Sequence, residues 1–221
     1  MQKRIVAARK ADAIEDVLLF CEHPHVITLG RNGRRENLLA SEHVLRQKDV
    51  EFHETSRGGD ITYHGPGQIV GYPILNLGAI RRDVVWYVRM LEEAMIRATA
   101  EFGISAKRVS GKTGIWVQSG NAEEKLGAIG VHISRWVTSH GFAYNVSTDL
   151  RFFDLIVPCG IADCKATSLE KLLSRSLDQS EVASRLAKHL AELFGLEMKE
   201  ASKKELLLKL EHAEQSVPVS A

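Results

Sequence analysis

Cys159 stands between Pro158 and Gly160 in the stretch IVPCGIADC, residues 156–164, and Cys164 closes that stretch. A thiol reacts as its thiolate, so a reactive cysteine needs partial exposure and a positive neighbour. Proline and glycine on either side disfavour regular structure and put Cys159 on a loop. The residue chemistry alone leaves Cys159 as either a nucleophile or a small buried hydrophobe. Cys164 has no such punctuation and reads as a bystander. A zinc site would need a second cysteine pair or a tighter spacing, and the sequence has neither. His23 and His25 flank Pro24 and could turn two imidazoles the same way on an extended chain. That pattern serves a structural role or simple exposure as well as a metal, and no metal is expected.

Lys125 follows two glutamates and opens the run LGAIG. Read alone, it is either a solvated turn lysine or an ammonium carried inward by an apolar strand. In the second case desolvation lowers a lysine pKa and fits it for base work. RGGDITYHGPGQ, residues 57–68, packs Arg57, Thr62, Tyr63 and His64 among paired glycines. It is not a GxGxxG turn and not a phosphate loop, since no glycine-lysine-serine/threonine follows. It reads as a glycine-rich hairpin or a ligand-facing loop.

These residues need elements to hold them. Residues 8–16 are expected to form a helix. Two short strands follow around Pro24, then a loop rich in arginine, a short helix at 41–48 and a strand at 50–56. IVGYPILNL reads as a buried strand. Residues 83–102 give the clearest helix, with Asp83 at the N-cap and Val84, Val85, Val88, Leu91, Met95 and Phe102 on one face. GIWVQ and then KLGAIGVHISRWVTSHGFAYNV read as strands, the last two as a hairpin, with residues 118–124 as a turn. Helices are expected near 180–194 and 202–212. Strands, helix, strands and helices in that order predict an α+β fold: a single domain with a mixed or antiparallel β-sheet packed by helices. The expected domain covers residues 1–214, with 215–221 as a flexible C-terminal tail.

The chain has 221 residues, 44% hydrophobic and 26% charged, with a net charge of +1. That supports one substantial core and gives no bulk electrostatic case for nucleic acid. No apolar run approaches the roughly 20 residues of a membrane span, and no signal peptide is read. Three cysteines are too few for a secreted disulfide scaffold, so a cytoplasmic, reducing setting is expected.

Several segments together resemble one family. RGGDITYHGPGQIVGYPILNL is similar to the signature of the lipoyl(octanoyl) transferases. EKLGAIGVHIS resembles that family's lysine motif and HGFAYNV its following strand. IVPCGI, with TSL shortly after, resembles its cysteine motif, and EHPHVITLGR its first buried strand and turn. The match runs in the right order through residues 17–173.

The resemblance implies the fold of the biotinyl/lipoyl-protein ligase catalytic domain. It implies an acyltransferase that moves an octanoyl group from octanoyl-acyl carrier protein to a lysine of a lipoyl domain. The acceptors would be lipoyl domains of 2-oxoacid dehydrogenases and the glycine cleavage H protein. No cofactor is implied, because the donor is already a thioester, and a monomer is expected. Cys159 would carry the acyl group as a thioester, and Lys125 would stabilise its thiolate and then act as base. By the same match Arg57, Gly58, Gly59, Asp60, Ile61, Thr62, Tyr63 and His64 would line the acyl site. So would Ala128, Ile129, Gly130, Gly141, Phe142 and Ala143. His23 and His64 match family histidines, while His25 falls where the family has proline. The chain departs from the family at its start, with little sequence before the first buried strand.

Acyl carrier proteins are acidic, so a local basic patch is expected to meet the donor, with Arg31, Arg34 and Arg35 first and Arg81 and Arg82 second. Two other functions stay in view. An ATP-dependent lipoate or biotin ligase would share the fold without needing the cysteine. A thiol or metal-binding module would use Cys159 and Cys164 equally.

Overall fold

The computed structural model describes residues 1–158 and 165–216. Cys159 and Cys164 therefore lie outside the described residues, as do residues 217–221, most of the expected tail.

The larger sheet is built on β1 (Val17–Cys21), β5 (Gln68–Ile74), β6 (Ala106–Val109), β7 (Lys112–Ser119), β8 (Ala122–Ser134) and β9 (Val137–Asn145). Its strands lie in the order β1-β5-β9-β8-β7-β6, every pair antiparallel. The short β10 (Lys165–Ala166) joins β8 in parallel. A second sheet holds β2 (Val26–Leu29) between β3 (Glu51–Glu54), which runs parallel to it, and β4 (Ile61–His64), which runs antiparallel. The β8–β9 hairpin turns through Arg135 and Trp136, both at positive φ, the geometry a two-residue hairpin turn requires.

One face of the larger sheet is covered by α4 (Val84–Ala100) and α6 (Gln179–Phe194), with α5 (Leu169–Leu173) nearby. Tyr87, Leu91, Ala94, Met95 and Ala98 of α4 pack there against Ile115, Leu126, Phe142 and Tyr144. Asp83 caps α4 as expected, its carboxylate accepting from Trp86 N–H at 2.8 Å. The expected apolar face needs correction, because Val84 and Val85 are 45% and 69% exposed. Val85 falls off the buried stripe by its helical angle, and Val84 lies on that stripe but in the first turn, where its side chain stays in solvent.

The N-terminal helix is also displaced from expectation. α1 spans Gln2–Lys10, and residues 11–16 form a turn with Asp12 at φ 56. Tertiary packing decides this. Ile5 and Ala8 of α1 bury against Leu210 and Ala213 of α7 (Lys203–Ser216) and against Ile74 and Val137 of the sheet. Asp16 then serves the turn, accepting from Arg9 at 2.6 Å and from the Asn76 N–H at 2.9 Å. The short helices α2 (Glu42–Gln47) and α3 (Leu77–Ile80) complete the fold. Among the described residues no helix is long and apolar enough to cross a membrane.

Candidate active site

A cleft of about 1440 Å³ opens between the second sheet and the face of the larger sheet opposite α4 and α6. Cross-strand register explains its floor. Cys21, Val70, Ala143 and Ala128 form one row across β1, β5, β9 and β8. Alternation puts Leu19, Tyr72, Gly141 and Gly130 in the next row on the same face. The two central strands thus offer only alanine and glycine, which leaves a trough. Gly130 has a second reason to lack a side chain, since a Cβ there would press on the Gly58 carbonyl and the Arg57 side chain.

Lys125 reaches this cleft because β8 is irregular. Strict alternation would put Lys125 on the helix-covered face with Gly127 and Ile129. The β7–β8 register shifts between Ile115 and Trp116, which pair with Gly127 and Lys125, so Leu126 is one residue too many. That bulge turns Leu126 into the helix-packed core and Lys125 into the cleft. Lys125 is 9% exposed, and its Nζ lies 4.9 Å from the ring centroid of buried Trp116. Gly114, at φ +111, makes the passage possible: a Cβ there would collide with the Gly127 carbonyl and touch Lys125 Cε. The N–H of Gly114 is held at 3.0 Å by Glu92, a fully buried carboxylate that also takes Arg89 and Arg108.

The roof of the cleft is a polar network. Arg57 is buried and donates to the Thr28 hydroxyl from Nε at 3.2 Å and from Nη2 at 2.9 Å. Asp60 orders the arginine-rich loop, accepting from the Arg34 N–H at 3.2 Å and from Asn37 at 2.6 Å. His64 ends a chain whose direction follows from its far end. Asn145 donates from Nδ2 to the Thr167 carbonyl at 2.9 Å, so its Oδ1 must accept, and Gln68 Nε2 donates to it at 2.9 Å. Gln68 therefore turns Oε1 toward His64, whose Nδ1–H donates at 2.7 Å. Nε2 of His64 is left as an acceptor, 3.5 Å from the Thr28 hydroxyl.

Burial chiefly pushes the His64 imidazole down to about 4, with Arg57 and two neighbouring histidines adding to it. Burial and Arg57 bring His140 to about 4 as well. His23 is lowered by burial, and its Nε2 is hydrogen-bonded to the Tyr72 hydroxyl at 2.7 Å. These three imidazoles of the cleft are thus neutral at neutral pH. Cys21, the third cysteine, also faces it, but burial pushes its thiol up to about 11, which makes it a poor nucleophile.

The segment that contains Cys159 is bounded on both sides near Lys125. Pro158 lines the inner corner of the site together with Lys125, Thr62, Asn145 and Ala166. On the other side Ala166 pairs with Lys125, and the Thr167 N–H donates to the Lys125 carbonyl at 2.9 Å.

Residues 1–191 match the family model described as the lipoyl protein ligase A/B catalytic domain. The chain belongs to that family. Within it the chain stands among the octanoyltransferases. It is 52% identical to an octanoyltransferase of Acidobacterium capsulatum, over 88% of this chain and 84% of the relative. It is 54% identical to one of Solibacter usitatus, over 90% and 87%. In fold it is similar to a bipartite lipoate protein ligase from Thermoplasma acidophilum, at TM-score 0.71 and 16% identity, covering 96% of this chain and 88% of the other. It is also similar to lipoate-protein ligase A bound with ATP, at TM-score 0.69 and 16% identity, covering 96% and 90%.

The family motifs converge on the cleft. Arg57, Gly59, Asp60, Thr62 and His64 line it from the roof, and Lys125, Ala128, Gly130, Gly141 and Ala143 from the floor. Ile61, Ile129 and Phe142 border it, with their side chains packed in the apolar clusters behind. Two motif residues stand elsewhere. Tyr63 points to the opposite face of β4, wholly buried against Phe152 and Phe153, with its hydroxyl on His25 at 2.7 Å. Gly58 serves through its backbone, its N–H donating to the Val131 carbonyl at 2.9 Å. Gln68, Asn145, Tyr72 and Thr28 were not singled out from the sequence. All four lie inside the quoted motif strings, and a polar side chain within an apolar strand was the available signal.

Proposed function

We propose that the chain transfers an octanoyl group from octanoyl-acyl carrier protein to a lysine of a lipoyl domain, through a thioester on Cys159. The observation that supports this best is the pair of anchors around residues 159–164, Pro158 and Ala166, which meet at the corner occupied by Lys125. The relatives' name, octanoyltransferase, supplies the acyl group.

Cys159 gives its proton to Lys125 and its thiolate attacks the donor's thioester carbon; the carrier's sulfur leaves as a thiol with that proton, which leaves the Lys125 amine neutral. The acceptor's neutral amine then attacks the Cys159 thioester. Its surplus proton passes to Lys125 and on to the departing Cys159 sulfur, so atoms and charge balance over the cycle. The trough of Ala128, Ala143, Gly130 and Gly141 takes the acyl chain. The neutral imidazoles of His64 and His140 keep further cationic charge away from the Lys125 ammonium. Lipoyl domains of 2-oxoacid dehydrogenases and of the glycine cleavage H protein are the acceptor class, and the chain works as a monomer in the cytoplasm.

Intact-mass spectrometry after mixing with octanoyl-carrier protein tests this. An octanoyl adduct that hydroxylamine removes is expected on the wild type and on Cys164→Ser, and absent from Cys159→Ala. A wild-type chain without an adduct, or transfer that requires ATP, would overturn it. Equal loss in Cys164→Ser would favour the thiol-module alternative.

A further inference from the structure

The helix α7 lies past residue 191, where the family match ends, yet it borders the cleft. It is fixed on α1 by the apolar contacts of Leu210 and Ala213 with Ile5 and Ala8, and by Arg4, which grips Glu214 through two hydrogen bonds of 2.6 and 2.9 Å. α1 is in turn fixed on β9, because the Gln2 side-chain oxygen accepts from the His140 N–H at 3.2 Å.

From the Lys125 end, the trough runs over the Ala128–Ala143 pair and then the Gly130–Gly141 pair. Two residues along a strand advance about 7 Å, and an extended eight-carbon chain spans about 9 Å. The next row on that face, Ile74 and Ser139, is already covered by α1, whose Ile5 and Ala8 pack on Ile74 and Val137. Leu19 and Leu206 line the cleft and also pack against this α1–α7 cluster, so they stand where the trough stops. An eight-carbon chain that starts at the Ala128–Ala143 pair therefore ends between the Gly130–Gly141 pair, about 7 Å on, and the covered row, about 13 Å on.

We propose that Leu206, carried by α7, is a specificity-determining residue that sets acyl chain length by closing the far end of the trough. This rests on the octanoyl-transfer reading above. Leu206 touches the ω-end of the chain and takes no part in bond making, so substitutions there change which chain fits.

The test is kcat/KM of the full chain for hexanoyl, octanoyl, decanoyl and dodecanoyl donors. A buried methylene is worth ~0.8 kcal/mol, roughly fourfold in affinity. Leu206→Ala is expected to raise the decanoyl-to-octanoyl ratio by about tenfold, as two more methylenes find room. Leu206→Phe is expected to move the ratio the other way, favouring hexanoyl over octanoyl by a similar factor. The two variants shift preference in opposite directions, which mere loosening of α7 would not do. Ratios that stay within about twofold of wild type in both variants would overturn the proposal while wild-type octanoyl transfer stands. A wild-type chain that transfers no acyl group at all would overturn the octanoyl-transfer reading and this proposal with it.

Discussion

His64 should make the protein acid-sensitive in a way that a single substitution removes. In the folded chain its imidazole is pushed down to about 4, against an ordinary value of 6.5, with burial the largest cause. Between those two values the unfolded chain holds a proton on His64 that the folded chain does not. Stability from this group is therefore complete above about pH 6.5 and is lost as pH falls toward 4. The full difference is about 3 kcal/mol, and the part lost between pH 7.5 and pH 5 is about 2 kcal/mol. His64→Asn keeps a donor toward Gln68 Oε1 and cannot titrate. Urea unfolding followed by tryptophan fluorescence at pH 7.5, 6 and 5 measures both proteins. His140, His23 and His132 are lowered in both, so their contributions cancel in the comparison. The wild type is expected to lose about 2 kcal/mol more than His64→Asn over that range. Parallel pH dependences in the two proteins would refute the argument that His64 is held neutral by its burial.

Two further outcomes follow from the geometry around the cleft. Gly114→Ala places a Cβ at φ +111 against the Gly127 carbonyl and beside Lys125 Cε. It should cost about 1–3 kcal/mol in unfolding free energy and lower kcat more than it raises KM; an unchanged kcat would show that Lys125 does not depend on this passage. Arg34 and Arg35 are exposed on the loop that Asp60 orders beside the cleft, with Arg35 65% exposed and only 3.9 Å from Glu54. Reversing both charges should raise KM for carrier-bound octanoyl donor while sparing a small octanoyl thioester, and equal loss for the two donors would remove this loop from docking.

What the sequence could reveal depended on whether a residue's place is set by local chemistry or by distant packing. The buried strand that ends the glycine-rich segment, the Asp83 cap and the β8–β9 hairpin are local, and they were legible. α1 was not, because no cap marks its start; it is held by α7, some two hundred residues downstream in a chain of 221. α7 itself reads only as a helix near 202–212 until its packing on α1 brings Leu206 to the cleft.

Lys125 shows most sharply how a site can be named and yet not explained. The alternation in EKLGAIG puts Lys125, Gly127 and Ile129 on one face and Leu126, Ala128 and Gly130 on the other. On that pattern the lysine belongs among the helices and the leucine in the cleft, which would bury an ammonium in an apolar core. Two physical costs exclude it: desolvation of the charge and exposure of Leu126. A bulge of one residue opposite Ile115 and Trp116 avoids both and swaps the two side chains. The bulge is paid for by Gly114, which gives up its side chain to let the lysine pass, and by Glu92, which pins the Gly114 N–H from within the core. The motif therefore locates the lysine, whereas its reach into the cleft is set by a glycine and a buried carboxylate outside the motif.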